Sequence, residues 1–258
     1  MFRKSLLRIC ILLASIAPAH AADLQVDLEL VLAVDVSRSM NAAEGEMQRG
    51  GYVAALSDPA LISAVQAGML GRIAVTYVEW AGQFSQRAAV DWQVIDGAES
   101  ALRFAKSVRE DAPGSARGTS ISGALDFSAA LLRANAYDGL RRVVDVSGDG
   151  ANNVGRPVLE ARRDLLEQGV TINGLPILVP GAGTISNLDD YYADCVIGGP
   201  GAFSLPARGM EEFALAIRRK LILEVSGNFE DAPKQIAARP SADCMIGEKM
   251  RQQNFQRN

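Results

Sequence analysis

Asp35, Ser37 and Ser39 set one carboxylate and two hydroxyls at alternate positions, directly after an apolar run from Leu28 to Val34. Hard oxygens gathered at one point suit Mg²⁺, which takes a near-octahedral shell of protein oxygens and water. Two later segments carry the same chemistry. Gly118-Thr119 adds a third hydroxyl, and Ser147-Gly148-Asp149-Gly150 adds a second carboxylate at the end of another apolar run. Each has an ordinary reading when taken alone. Thr119 reads as the N-cap of the helix that follows, Asp149-Gly150 as a turn, and the two serines as partners of loop backbone. Only their joint occurrence points to a divalent cation, Mg²⁺ first, with Mn²⁺ and Ca²⁺ suited to the same donors.

Such a site requires elements that bring three distant segments together. Asp27–Val36, Arg72–Trp80, Arg142–Ser147 and Val170–Val179 read as strands. Arg87–Ile95 alternates enough for an antiparallel edge strand, and Val196–Leu205 is expected to carry a last short one. Helices are predicted over Asn41–Ser57, Ala60–Ala67, Glu99–Arg109, Ser120–Asn135, Pro157–Gln168 and Met210–Val225, with Leu188–Cys195 partly helical. Strands alternating with helices predict an α/β fold, Rossmann-like, with a mostly parallel sheet covered on both faces. In such sheets ligands bind at the carboxyl ends of strands, near a topological switch point. Asp35 and Asp149 each end a strand, and Thr119 lies where a loop enters a helix.

Smaller features carry their own expectations. Asp145 falls inside a buried strand and needs a partner: an arginine is the ordinary expectation, support of the site the sharper one. Asn152 and Asn153 are expected to cap the next helix, and Glu79 and Trp80 to line the rim. The Leu175-Pro176 peptide is weighed as a cis bond. From Ser226 onward the chain reads as polar and irregular, with Arg251–Asn258 loose.

Composition narrows the function classes. The chain has 258 residues, 48% hydrophobic and 22% charged, with a formal charge of −4. No basic block is interleaved with aromatics, so nucleic acid is not an expected partner. Residues 1–21 read as an export signal: Arg3 and Lys4, an apolar stretch from Ser5 to Ile16, then Ala19-His20-Ala21 as a cleavage site. Cleavage would leave no stable membrane insertion and a periplasmic or secreted chain. Loss of Arg3, Lys4 and Arg8 takes the charge from −4 to −7. It also removes His20, the only histidine. A mature chain without histidine builds no Ser-His-Asp triad and no His-ligated zinc site, which favours binding over catalysis. Cys195 and Cys244 remain. In an exported protein such a pair reads as a disulfide, with two separate thiols as the alternative.

Asp35-x-Ser37-x-Ser39, Gly118-Thr119 and Ser147-Gly148-Asp149-Gly150 together resemble the metal-ion-dependent adhesion site (MIDAS) of von Willebrand factor type A domains. The resemblance runs from about Asp27 to Val225. Arg142–Gly150, Asn173–Ile177 and Asp194–Gly201 look like an uncharacterised bacterial branch of that superfamily. The resemblance implies that Ser37 and Ser39 ligate the cation through hydroxyls and that Thr119 joins them when a ligand is bound. Asp35 and Asp149 would stand close, partly through water. A partner protein's Asp or Glu would complete the shell. On this reading residues 22–225 form the domain, and 226–258 form a tail pinned by Cys195–Cys244. Arg38, where the family often has a small residue, is either solvated or a limit on the partner's approach. Two other classes stay open. One is a metal-dependent hydrolase or phosphatase, which a strand-end Asp alone would fit. A haloacid-dehalogenase-like enzyme, however, would carry a second Asp where Ser37 stands. The other is a scaffold whose cation is purely structural.

Overall fold

An unbroken apolar strand has no face to show to water, so it must lie mid-sheet with both sides covered. In the computed structural model, which describes residues 23–178, 185–228 and 241–257, Leu28–Asp35 (β2) does so, and every residue in it is buried. It pairs in parallel with Ile73–Trp80 (β3) on one side and Arg142–Gly148 (β6) on the other. Gln86–Ile95 (β4) runs antiparallel along β3, and Thr171–Pro176 (β7) runs parallel along β6. The order β4-β3-β2-β6-β7 is the expected parallel sheet with one antiparallel edge. A separate parallel pair, Leu24–Val26 (β1) with Tyr137–Gly139 (β5), was not foreseen, because strands this short carry no usable periodicity.

Helices cover both faces. Ala42–Leu56 (α1), Pro59–Gln66 (α2), Ala98–Glu110 (α3) and Met210–Ser226 (α7) cover one. There Tyr52, Phe104, Phe213 and Leu221 pack with Leu30 and Leu32 of β2. Ile121–Ala134 (α4), Val158–Glu167 (α5) and Leu188–Tyr191 (α6) cover the other. There Ile121, Leu125, Leu165 and Tyr191 pack with Val31 and Ala33. Alternate residues of β2 thus serve two cores, as a pleat requires. α1 starts at a capping box, in which Asn41 Oδ1 accepts from Glu44 N and Glu44 Oε2 accepts from Asn41 N.

Several expectations fail. Val196–Leu205 is not a strand. It follows β7 only through isolated bridges, Ile172 with Gly198 and Gly174 with Ser204, because Gly198-Gly199-Pro200-Gly201 turns the backbone away. Gly199 and Gly201 have φ of 95° and 70°, and Pro200 has no N–H to give a ladder. The Leu175–Pro176 peptide is trans. The tail is not wholly irregular: Ile246–Arg257 (α8) is helical. Cys195 and Cys244 are disulfide-bonded, with Cα atoms 5.5 Å apart. Residues 1–22, which hold the expected export signal and His20, lie outside the described residues, as do Val179, residues 229–240 and Asn258.

Candidate functional site

β2 and β6 are neighbours reached by crossovers in opposite directions, so a switch point lies between their carboxyl ends. Asp35 ends β2, and Asp149 directly follows β6. The backbone of Ser37 turns back on Asp35, its N–H donating to Asp35 Oδ1 at 2.7 Å. The Ser37 and Ser39 hydroxyls are 2.8 Å apart, and Ser39 Oγ donates to Asp149 Oδ1 at 2.8 Å. One hydrogen-bonded chain therefore joins Asp35, Ser37, Ser39 and Asp149.

Thr119 reaches the same place through a different clamp. Its N–H donates to Asn153 Oδ1 at 3.0 Å, and its carbonyl accepts from Asn153 N at 2.8 Å. It is not the N-cap of α4. That role falls to Ser120, whose Oγ accepts from Gly123 N. Gly118 makes the preceding turn at φ +90°, a conformation that L side chains rarely adopt. Ser37, Ser39, Thr119 and Asp149 all line one open cleft of about 510 Å³. Asp35 lies beneath its floor and faces a second cavity of about 250 Å³.

The electrostatics are unusual. Asp35 and Asp149 are both 1% exposed. Burial, then the Asp149 carboxylate, pushes the Asp35 carboxyl up to about 8. Burial raises Asp149 as well, and Glu44 adds to it. Asp35 Oδ2 and Asp149 Oδ2 are buried with no hydrogen-bond partner. Tyr192 Oη, also without a partner, feels both carboxylates. A Cβ at Gly148 would lie 2.9 Å from Asp35 Oδ2 and 3.0 Å from Tyr192 Oη, so glycine keeps this space open. Buried carboxylate oxygens normally find donors or a cation. The donor set here, two carboxylates and three hydroxyls, fits a hard divalent cation. Among the described residues no three His, Cys, Asp or Glu side chains gather as a metal cluster; three of the five candidate donors are hydroxyls.

Other expected residues have different roles. Asn152 and Asn153 do not cap α5, whose N-cap Pro157 makes no side-chain cap bond. They face backwards: Asn152 Oδ1 accepts from Ser122 N at 2.9 Å, and Asn153 holds Thr119. Glu79 does not line an exposed rim. It is buried against Arg49 and, at 2.7 Å, Arg87, and Trp80 is core. Asp145 is paired, though not with arginine. Lys220 Nζ of α7, 1% exposed, lies 2.5 Å from Asp145 Oδ1 and also contacts Glu224. Asn173 Nδ2 donates to Glu224 Oε1 at 3.0 Å. Sequence reading missed the clamp role of the two asparagines, the space that Gly148 keeps beside Asp35, and α8, which lines the cleft. The run Asp149-Gly150-Ala151-Asn152-Asn153 held the available signal, since polar residues that follow a strand-end carboxylate can hold the neighbouring loop.

A five-stranded sheet of this order, helices on both faces and a carboxylate on each side of the switch point make the fold that of a von Willebrand factor type A domain. Solved structures agree. The pilus adhesin SpaC from Lactobacillus rhamnosus GG matches with a TM-score of 0.58 at 13% identity, over 80% of this chain and 32% of its own. Proximal thread matrix protein 1 from the mussel byssus, with a zinc-occupied MIDAS motif, matches at 0.56 and 17%, over 80% and 49%. The vWF domain of the type V pili tip protein Mfa5 from Porphyromonas gingivalis matches at 0.54 and 9%, over 84% and 99%. The chain spans about a third to a half of the first two. By sequence it belongs to the family described as "protein of unknown function (DUF1194)", whose profile matches residues 25–229. None of the curated proteins compared with it matches.

Proposed function

We propose that this protein is an exported, metal-dependent protein-binding module. Asp35, Ser37, Ser39, Thr119 and Asp149 would hold one divalent cation, Mg²⁺ before Mn²⁺ or Ca²⁺. The reading is carried by the two buried, unpartnered oxygens, Asp35 Oδ2 and Asp149 Oδ2. When bound, the cation would supply an open coordination position for an oxygen anion. The two carboxylates would offset its charge, the serine hydroxyls would fix its position, and the Asn153 clamp would keep Thr119 at the cleft. An Asp or Glu of a partner protein is the expected occupant of the open position.

Binding is favoured over hydrolysis because the described residues contain no histidine to serve as a base. Residues 1–21 would be the export leader, 22–225 the binding domain and 226–258 the tied tail. A disulfide suits an oxidising compartment. No helix among the described residues is long and apolar enough to cross a membrane. The pilus proteins of like fold support an envelope or extracellular setting.

Calorimetric titration of Mg²⁺ and Mn²⁺ into chelator-treated protein tests this. One cation per chain is expected in the wild type, with none in Asp149→Asn or in Ser37→Ala/Ser39→Ala. No heat at millimolar cation, with the fold intact by circular dichroism, overturns the reading.

A further inference from the structure

α8 lies beyond the residues matched by the family, and of its apolar residues Ile246, Met250 and Phe255, Ile246 packs against the core. Further contacts hold it. Cys244 is bonded to Cys195, and Ala242 N donates to Asp194 Oδ2 at 2.7 Å. Gly247 lies so near the backbone that a Cβ there would come within 2.2 Å of Asn152 O. Asn152 Nδ2 donates to Glu248 Oε1 at 2.7 Å. The helix is therefore fixed on the same asparagine pair that holds Thr119 and the start of α4. So anchored, it brings Met250, Arg251, Asn254 and Phe255 to the cleft.

Charge in that cleft is one-sided. Its charged lining residues are Arg38, Arg117, Arg251 and Asp149. No carboxylate pairs with any of these guanidiniums among the described residues. Among the described residues Arg251 contacts neutral groups, Asn153 Oδ1 at 3.5 Å and the Phe255 ring at 5.5 Å. Its charge is left uncompensated. A guanidinium binds carboxylates through paired N–H donors, a geometry that lysine lacks. Phe255, 73% exposed, adds apolar contact for a side chain flanking the acidic groups.

We infer that α8 is the specificity wall of the cleft, which takes an acidic protein segment bearing at least two carboxylates. One carboxylate goes to the cation position and another to Arg251, with Arg117 and Arg38 lining the same cleft. This rests on the metal reading of the cleft floor. It differs from that reading in requiring a second anionic contact, on a helix outside the matched family residues.

Fluorescence anisotropy tests it, using a labelled peptide with two glutamates and its single-glutamate counterpart, each in Mg²⁺ and in chelator. Calorimetric Mg²⁺ titration runs alongside. Arg251→Gln is expected to weaken the two-glutamate peptide roughly tenfold, as for loss of one exposed, bidentate charged contact. It should leave the single-glutamate peptide and Mg²⁺ affinity unchanged, and Arg117→Gln should act in the same direction. If Mg²⁺ binds and both peptides bind alike, or Arg251→Gln changes nothing, the inference is overturned and the metal reading stands. Peptide capture that survives chelation, with no Mg²⁺ bound, yet depends on Arg251, refutes the metal floor and overturns the two-carboxylate arrangement that rests on it. Citrate binding as tightly as the peptide overturns the choice of a protein segment, and capture of neither peptide overturns the inference outright.

Discussion

Asp145 and Glu224 share a cation that the chain itself supplies, whereas Asp35 and Asp149 share none. Both pairs are buried at or near the same central strands. Lys220 from α7 lies against both members of the first pair, and Asn173 adds a donor to Glu224. Glu224 Oε2 has no hydrogen bond, and Asp145 Oδ1 has none beyond its 2.5 Å ion pair with Lys220; the lysine, rather than full hydrogen bonding, separates this pair from the other. At the cleft, the charges acting on Asp35 and Asp149 are other carboxylates, Asp149 and Glu44 respectively. Bringing two carboxylates together in low dielectric is costly. Where the cost is met internally, the cluster is structural. Where it is not, and the place opens on a cleft, the fold is left wanting an external positive charge.

The comparison can be broken from either side. The largest effect should come from Lys220→Met, which leaves two buried carboxylates without their ammonium. Urea denaturation at pH 7 should show a loss of about 3–5 kcal/mol, and Mg²⁺ should recover none of it. A loss under 1 kcal/mol would mean that the core pair does not depend on Lys220. Gly148→Ala attacks the other pair by placing a methyl against Asp35 Oδ2. Calorimetry should show Mg²⁺ affinity reduced by roughly ten- to a hundredfold, the size seen when groups behind a metal site are disturbed, with the Lys220 cluster untouched.

A smaller effect separates the pairs by pH. Burial, followed by Asp145, raises the Glu224 carboxyl from 4.5 to about 7. The folded chain therefore holds a proton that the unfolded chain releases at lower pH. This carboxyl's contribution to stability is fullest below about pH 4.5 and declines as pH rises toward 7. Glu224→Gln should flatten the pH dependence of stability between 5 and 7 by on the order of 1 kcal/mol, measured by denaturation in chelator. An unchanged slope would show that the group titrates normally. Smallest of all, Asn153→Ala removes the acceptor of Thr119 N–H. It should cost about 1 kcal/mol and weaken metal binding less than Gly148→Ala does; equal effects would place Thr119 nearer the centre of the site than Asp35.

The sheet was legible because β2, β3 and β6 are long apolar runs, and period and length identify such strands. The strand-end positions of Asp35 and Asp149 followed from the same runs. Lys220 was not legible as Asp145's partner, since a lysine on an amphipathic helix reads as solvated until the helix is docked. α8 was hidden for a different reason. Its sequence is mostly polar, with only Ile246, Met250 and Phe255 apolar, and its position comes largely from Cys244 and the close approach of Gly247 to Asn152, both long-range facts. Asn152 and Asn153 were read forwards as caps, whereas their side chains reach back thirty or more residues, to Ser122 in the first turn of α4 and to Thr119 in the loop before it. Local patterns give elements, and partners across the fold give roles.

The most direct measurement is thermal melting of the mature chain in chelator and then in Mg²⁺, wild type beside Asp35→Asn. At a hundredfold excess over the dissociation constant, one bound cation stabilises the fold by about 2.7 kcal/mol. For a domain of this size that raises the wild-type Tm by roughly 5–10 °C. Asp35→Asn, whose amide is neutral like the protonated carboxyl that burial favours, should melt close to the wild type in chelator and should gain nothing from Mg²⁺. An equal shift in both proteins, or none in the wild type at millimolar Mg²⁺ and Mn²⁺, would contradict the claim that Asp35 and Asp149 await an external cation.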